Sequence, residues 1–367
     1  MIVSFVLLII FSLESSEETD EPVVHLHQSS LSREETYSLT QDQLWQTIGR
    51  ELLSSSIGDR RVKYIAFLST TRYLNPRRIK PMTHSTTLQM TRGHVALGGG
   101  GLALFGTGCL WTWPSSVSAV TGSLCDSSPM DPTLYMDDSG YRGTVGGCVA
   151  TTMGSVLHEL GHTFDLGHTE QGIMARGFDD LDSLLTLTSE RGGSRSGESL
   201  ARQLRPCGHC NLSRGPSPTI TSPTIGQSPR FTSIRRSDSV TKYLEEYSEK
   251  RMERSLEEGR GEGGCYWTQS CAVILSHQPW MRSEEKSGCE GEIAMSRSEV
   301  ESCCSIAVVE LRGRRSLVRH SWLPDISSRS LHLEQEVMEQ VTTSPDNTWE
   351  LVTMATCGRL RKINLNQ

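Results

Sequence analysis

The stretch VLHELGHTFDLGHTEQGIM, residues 156–174, decides how the rest of the chain is read. His158 and His162 are four apart. On a helix that spacing puts them one turn apart on one face, with Cβ atoms roughly 5–6 Å from each other. Two imidazoles so placed can share a zinc ion at about 2.0–2.1 Å per Zn–N bond. Glu159 follows the first histidine and points to one side of the pair. A carboxylate there can hold and deprotonate a zinc-bound water without being a ligand. Val149, Met153, Val156, Leu160 and Phe164 recur at intervals of three or four, so the segment reads as a helix with one apolar stripe.

His168 lies six residues past His162 and would face away from the pair if the helix continued. To reach the same metal, the helix must stop and the chain must turn back. Gly167 can supply that stop, because glycine tolerates the left-handed conformation that ends helices. Asp165 is the other candidate, since Asp is among the few non-glycine residues that visit that region. Three histidines leave a fourth tetrahedral position for water, as in a catalytic rather than a closed structural zinc site.

The motif H-E-x-x-H, a histidine six residues on and then Met174 resembles the metzincin clan of zinc endopeptidases. The resemblance implies His158, His162 and His168 as ligands of one Zn2+ per chain, Glu159 as general base and Met174 as the Met-turn residue. The chain departs from the pattern at Asp165, where the clan has glycine. Three further stretches carry the likeness: HVALGGGGLALFGTGCLWTWP (94–114), the segment from Pro129 to Asp180, and YWTQSCAVILS (266–276). VVELRGRRSLVRHSW (308–322) is also similar. Together they resemble a eukaryotic family of zinc metallopeptidases typified by a yeast member, strongly over residues 44–180 and patchily afterwards. The implied fold is α+β, a metzincin-like zincin catalytic domain: a twisted sheet over an active-site helix, with the Met-turn below the zinc.

Glycines 98–101 cannot stabilise a strand by side-chain packing, but they let another backbone approach closely. Composition alone allows a flexible loop, a hairpin or a cleft edge. The resemblance implies the edge, from Gly100 to Phe105, where an extended substrate is held by main-chain hydrogen bonds. Gly100, Gly101, Leu102, Ala103 and Leu104 are the expected substrate-binding residues.

The chain has 367 residues, 36% hydrophobic, with 33 glycines. That supplies a core for part of the length and is lean for all of it. A net charge of −7 gives no reason to expect nucleic acid as a partner. Eleven cysteines at irregular spacing outline no disulfide framework, and the C-x-x-C of Cys207 and Cys210 sits in flanks that read as loop. The apolar run from Ile2 to Leu13 is too short for a membrane-spanning helix. It suits a signal-peptide core or a buried strand. The compartment is accordingly open: cytoplasmic by resemblance, or secreted through that segment.

Five regions are expected. Residues 1–39 read as a tail or signal-like segment, polar and aperiodic after residue 14. Residues 40–187 are the upper part of a peptidase domain. There Thr40 and Gln43 form a capping box, an amphipathic helix carries Leu44, Ile48 and Leu52, and residues 62–70 form a central strand. Residues 188–238, rich in Ser, Gly, Arg, Pro and Thr, read as a disordered insert. Residues 239–300 are the lower part of the domain, opening on a helical pattern (Val240, Leu244, Tyr247, Leu256). Residues 301–367 form a small β-rich C-terminal region with two strands joined by a turn at Arg312–Arg315. The functional expectation is an endopeptidase acting on peptide or protein substrates through a zinc-bound water activated by Glu159. The alternative is a non-catalytic zinc-stabilised interaction module, or a truncated inactive isoform of such a peptidase.

Overall fold

Alternation along two strands sets the architecture. Tyr64, Ala66 and Leu68 on β3 (Tyr64–Leu68), with Leu102 and Leu104 on β7 (Leu102–Gly106), pack on one side of a sheet against Leu44, Ile48 and Leu52 of α2 (Gln41–Ser54). The intervening Ile65, Phe67, Ala103 and Phe105 face the other side, where Val156 of α5 (Val145–Thr163) meets them. Period two on the strands thus feeds two helical layers. The structure, a computed structural model, describes residues 5–15, 22–59, 62–81, 83–185, 264–281, 292–296, 299–302, 304–325, 327–343 and 349–365.

β3 and β7 run parallel in the middle of a five-stranded sheet of order β2-β1-β3-β7-β6, in which β6 (Ala96–Gly99) is an antiparallel edge. β1 (Phe5–Ser15) and β2 (Pro22–Ser32) pair antiparallel, and β1 also pairs with β3. Residues 5–15 and 22–32 therefore pair into the sheet, where a tail or signal-like segment was expected over 1–39. β2 hides its period because its inward positions are polar. Ser29 is buried and His25 and His27 are half-buried, while Val24 and Leu26 on the alternate positions are exposed. α1 (Arg33–Ser38) follows, closed at its start by a capping box of Ser32 and Glu35. The Thr40–Gln43 capping box opens α2 as expected.

Along the chain between β3 and α5 also come β4 (Arg72–Tyr73), α3 (His84–Gln89), β5 (Thr91–Arg92) and α4 (Val120–Leu124), with β4 and β5 paired in a small sheet of their own. After α5 come α6 (Leu181–Leu185) and then α7 (Gln269–His277), so YWTQSCAVILS contributes a helix. Two sheets complete the chain. One is β12-β9-β8, built from β8 (Ile293–Met295), β9 (Glu299–Ser302) and β12 (Ser330–His332). The other is β11-β10-β13-β14, built from β10 (Ile306–Arg312), β11 (Val318–Trp322), β13 (Glu350–Ala355) and β14 (Leu360–Asn364). α8 (Gln335–Thr343) packs Val337 and Val341 into the core between them. This mixed α+β arrangement with C-terminal sheets does not leave those sheets apart from the helix layer. Leu166 and Met174 share one buried cluster with Cys271 and Ile274 of α7, Val308 of β10 and Met354 of β13.

The insert, the helical pattern from Ser239 to Glu258, and Cys207 with Cys210 lie outside the described residues. Among the described residues no helix is long and apolar enough to cross a membrane.

Candidate metal centre

α5 begins at Thr144, whose hydroxyl accepts from the Gly147 amide, and carries His158 and His162. Its closest contacts run along a line of small residues rather than along the large apolar stripe. A Cβ on Gly154 would overlap the carbonyl oxygen of Phe178, and one on Gly161 would sit 2.6 Å from Met174 Sδ. The helix is thus pressed against other backbone, and buries His158 to 7% exposure.

Asp165 ends the helix. Its φ is +66°, the left-handed value. The Asp165 amide donates to His162 O at 3.1 Å and the Leu166 amide to Gly161 O at 3.1 Å, the paired bonds of a Schellman cap. Gly167 has another task. A Cβ there would lie 2.7 Å from Ser316 O and 2.8 Å from Arg312 Nε, so glycine is needed for close approach and not for the turn. The chain then runs beside the C-terminal sheet. The His168 amide donates to Ser316 O at 2.9 Å, and the Val318 amide donates to His168 O at 2.7 Å.

The three imidazoles converge. His162 Nε2 lies 3.2 Å from His158 Nε2 and 3.2 Å from His168 Nε2. Each Nδ1 faces a backbone carbonyl: His158 that of Ile173 at 2.7 Å, His162 that of Leu166 at 2.9 Å, His168 that of Arg315 at 2.7 Å. A carbonyl only accepts, so each Nδ1 carries the hydrogen. In a neutral ring Nε2 then offers a bare lone pair. Three such lone pairs converge, with two of the separations 3.2 Å, and repel unless a cation sits among them. Ligands at about 2.0–2.1 Å in a tetrahedron stand about 3.3 Å apart, so the donor set fits a zinc-sized ion. The carbonyls supply the outer contacts that fix ligand tautomer and orientation. Burial keeps the His158 and His162 rings neutral. It pulls His158 down to about 3, against the favourable Ile173 carbonyl, and His162 down to about 4, against that of Leu166.

Glu159 follows His158 on α5. Its Oε2 accepts from the Gly98 amide at 2.6 Å. Burial nevertheless raises its carboxyl to about 7, with the Gly98 bond opposing. Gly98 has to be glycine, since a Cβ would overlap the Glu159 carbonyl oxygen. Close approach by another backbone, read from the glycine run, is therefore real, and the approaching backbone is α5. Met174 is 1% exposed in a tight turn in which the Ala175 amide donates to Gly172 O at 3.0 Å. Ile173, its neighbour, donates to Tyr266 O at 2.8 Å and accepts from His158.

The expected edge is misplaced by one strand. Gly100 and Gly101 form the turn between β6 and β7, and Leu102, Ala103 and Leu104 lie on an interior strand bonded on both sides and buried. The edge strand is β6, whose outward amides donate to Gln41 Oε1 (Ala96, 3.3 Å) and to Glu159 Oε2 (Gly98). Val95 O accepts from the Gly106 amide on the β7 side, so alternation turns Ala96 and Gly98 outward.

Residues 8–248 match the family described as "Putative peptidase family". The chain belongs to it. Over 103 residues it is 35% identical to a protein of Saccharomyces cerevisiae named "Putative zinc metalloproteinase", a stretch covering 27% of this chain and 15% of that protein. Over 159 residues it is 31% identical to a Schizosaccharomyces pombe protein of the same description, covering 42% of this chain and 24% of that one. The chain thus spans well under half the length of these relatives. No solved structure matches.

The peptidase-family match ends before the turn at Gly313–Leu317, although that turn holds the third histidine. Sequence reasoning passed over three contributors to the centre. Gly98 was one glycine among four. The carbonyls of Arg315 and Ser316 are backbone groups on two non-glycine residues with φ of 58° and 54°. Glu310 and Arg312 form a buried ion pair at 2.6 Å. Two charges at alternate positions of an apolar strand, in VVELR, were the available signal for the last.

Proposed function

We propose that this protein is a zinc-dependent endopeptidase. His158, His162 and His168 would hold one Zn2+ per chain through Nε2. Bound there, the ion supplies Lewis acidity and lowers the pKa of water. Glu159 is the general base. Gly98 anchors one carboxylate oxygen, which leaves the other to take a proton from the attacking water and return it to the leaving nitrogen. The raised pKa of Glu159 suits a group that must both accept and release a proton near neutrality.

Substrate lies extended along β6, which takes the role first given to Gly100–Leu104. Main-chain pairing of this kind reads no chain terminus, which fits internal cleavage. The observation that carries the reading is the convergence of three Nε2 lone pairs whose Nδ1 partners are all carbonyls. A purely structural site has no use for a carboxylate beside it, so Glu159 speaks against the non-catalytic module. The test is incubation of the purified chain with a degenerate peptide library, with elemental analysis alongside. One zinc per chain, cleavage lost to chelator and cleavage restored by zinc are expected. Cleavage indifferent to chelator, or a chain that takes up no zinc, refutes it.

A further inference from the structure

The third ligand stands on a loop, and loops do not hold a donor atom to a few tenths of an ångström unaided. What surrounds His168 comes from the far end of the chain. Arg312 closes β10 with 1% exposure, and Glu310, two residues earlier on the same strand face, is equally buried. Arg312 Nε and Nη2 donate to Glu310 Oε2 at 2.8 and 2.6 Å. The same Nη2 donates to the carbonyl of Asp165 at 2.8 Å, the left-handed residue that ends the active-site helix. Gly167 lies flat against the Arg312 side chain, where a Cβ would come within 2.8 Å of Nε and 3.0 Å of Cδ. Immediately past Arg312 the chain turns through Arg315 and Ser316, both left-handed, and their carbonyls take the Nδ1 and amide hydrogens of His168.

Stability is a poor account of this pair. Burying two charges costs solvation that their attraction rarely exceeds, and apolar replacements of such pairs are often neutral or stabilising. Here the cost is larger, because Glu310 Oε1 has no hydrogen-bond partner among the described residues. Geometry is a better account. A guanidinium is a rigid planar fork. Held by Glu310, it fixes one point on the loop at Asp165 while its own strand delivers the Arg315 and Ser316 carbonyls to His168. We infer that Arg312, oriented by Glu310, is a positioning residue that sets the third histidine in the metal centre, so that the C-terminal sheet is a working part of that centre. This rests on the three histidines being a metal site.

The experiment compares the wild-type chain with R312M/E310L, which removes both charges and keeps volume, and with R312K, which keeps the charge but loses the fork. Zinc affinity is read by competition with a chromogenic chelator. Ligand geometry is read from the d–d spectrum of the cobalt-substituted protein, and hydrogen exchange is followed at residues 165–170 in the metal-free protein. The expected result is a folded double variant with zinc affinity lowered about 10–100-fold, the range for loss of outer-shell support, an altered cobalt spectrum, and faster exchange confined to that loop. R312K should fall between, and it serves if the double variant does not fold. Wild-type zinc affinity and unchanged loop exchange in a folded variant overturn the inference. Absence of peptide cleavage by the wild-type chain would sink the proposed activity while leaving these readouts in force. A wild-type chain that binds neither zinc nor cobalt overturns both.

Discussion

Removing the charge of Glu159 should stabilise the metal-free protein, although the residue is the proposed base. The carboxyl has an ordinary value of 4.5 and is carried by burial to about 7 in the fold. The folded state therefore holds a proton that the unfolded chain gives up between pH 4.5 and pH 7. Below pH 4.5 both states are protonated and nothing is lost. As pH rises through that window the fold loses stability, and above pH 7 the loss is complete. At 1.36 kcal/mol per pH unit, the ionised carboxylate costs the metal-free fold about 3 kcal/mol at pH 8. Glu159→Gln keeps an oxygen for the Gly98 amide and cannot ionise. Urea unfolding of both chelated proteins, at pH 8, 6 and 4.5, should show the variant more stable by about 2–3 kcal/mol at pH 8. The gap should shrink at pH 6 and vanish at pH 4.5. Adding zinc should close most of it at pH 8 as well, because the cation offsets the carboxylate. A gap independent of pH, or a variant less stable at pH 8, would refute the burial argument.

The same variant, loaded with zinc, should keep its metal and lose turnover by about three orders of magnitude or more, since base and metal act as a unit; retained cleavage of a library-derived peptide would mean another group is the base. Asp165→Gly should be close to neutral by thermal unfolding. Relief of about 1 kcal/mol of left-handed strain is set against loss of the half-exposed ion pair with Lys362 at 2.7 Å, itself worth about 0–1 kcal/mol. Gly167→Ala, two residues further on, should cost about 1–3 kcal/mol by overpacking on Ser316 O and Arg312. It should also weaken zinc binding in a chelator competition, and a neutral outcome there would show that the loop can shift freely. Gly98→Ala should be the most damaging of the glycine changes, because the obstacle is the backbone of α5 itself; an unaltered denaturation midpoint would mean that β6 is not seated on the helix.

Local information was enough for the elements that carry the first two histidines of the cluster. The four-residue spacing of His158 and His162 needs only a helix, and the Thr40–Gln43 cap and the apolar run at Tyr64–Leu68 needed only their own neighbours to become α2 and the middle strand of the sheet. Contacts between distant segments decided the rest. Either Asp165 or Gly167 could have turned the chain. The choice fell to Asp165 because Gly167 is pressed against Arg312 and Ser316, and the Asp165 carbonyl is bonded to a side chain 147 residues away. The edge of the sheet depends on which strands pair, so the glycine run did not show which of β6 and β7 is the terminal strand. β2 escaped notice because its inward side chains are histidines and a serine, and only pairing with β1 gives their alternation meaning. Residue type and spacing determine what chemistry a helix can offer. Where a loop histidine stands relative to that helix is set by whatever packs against the loop, and in this protein that is a sheet from the other end of the chain.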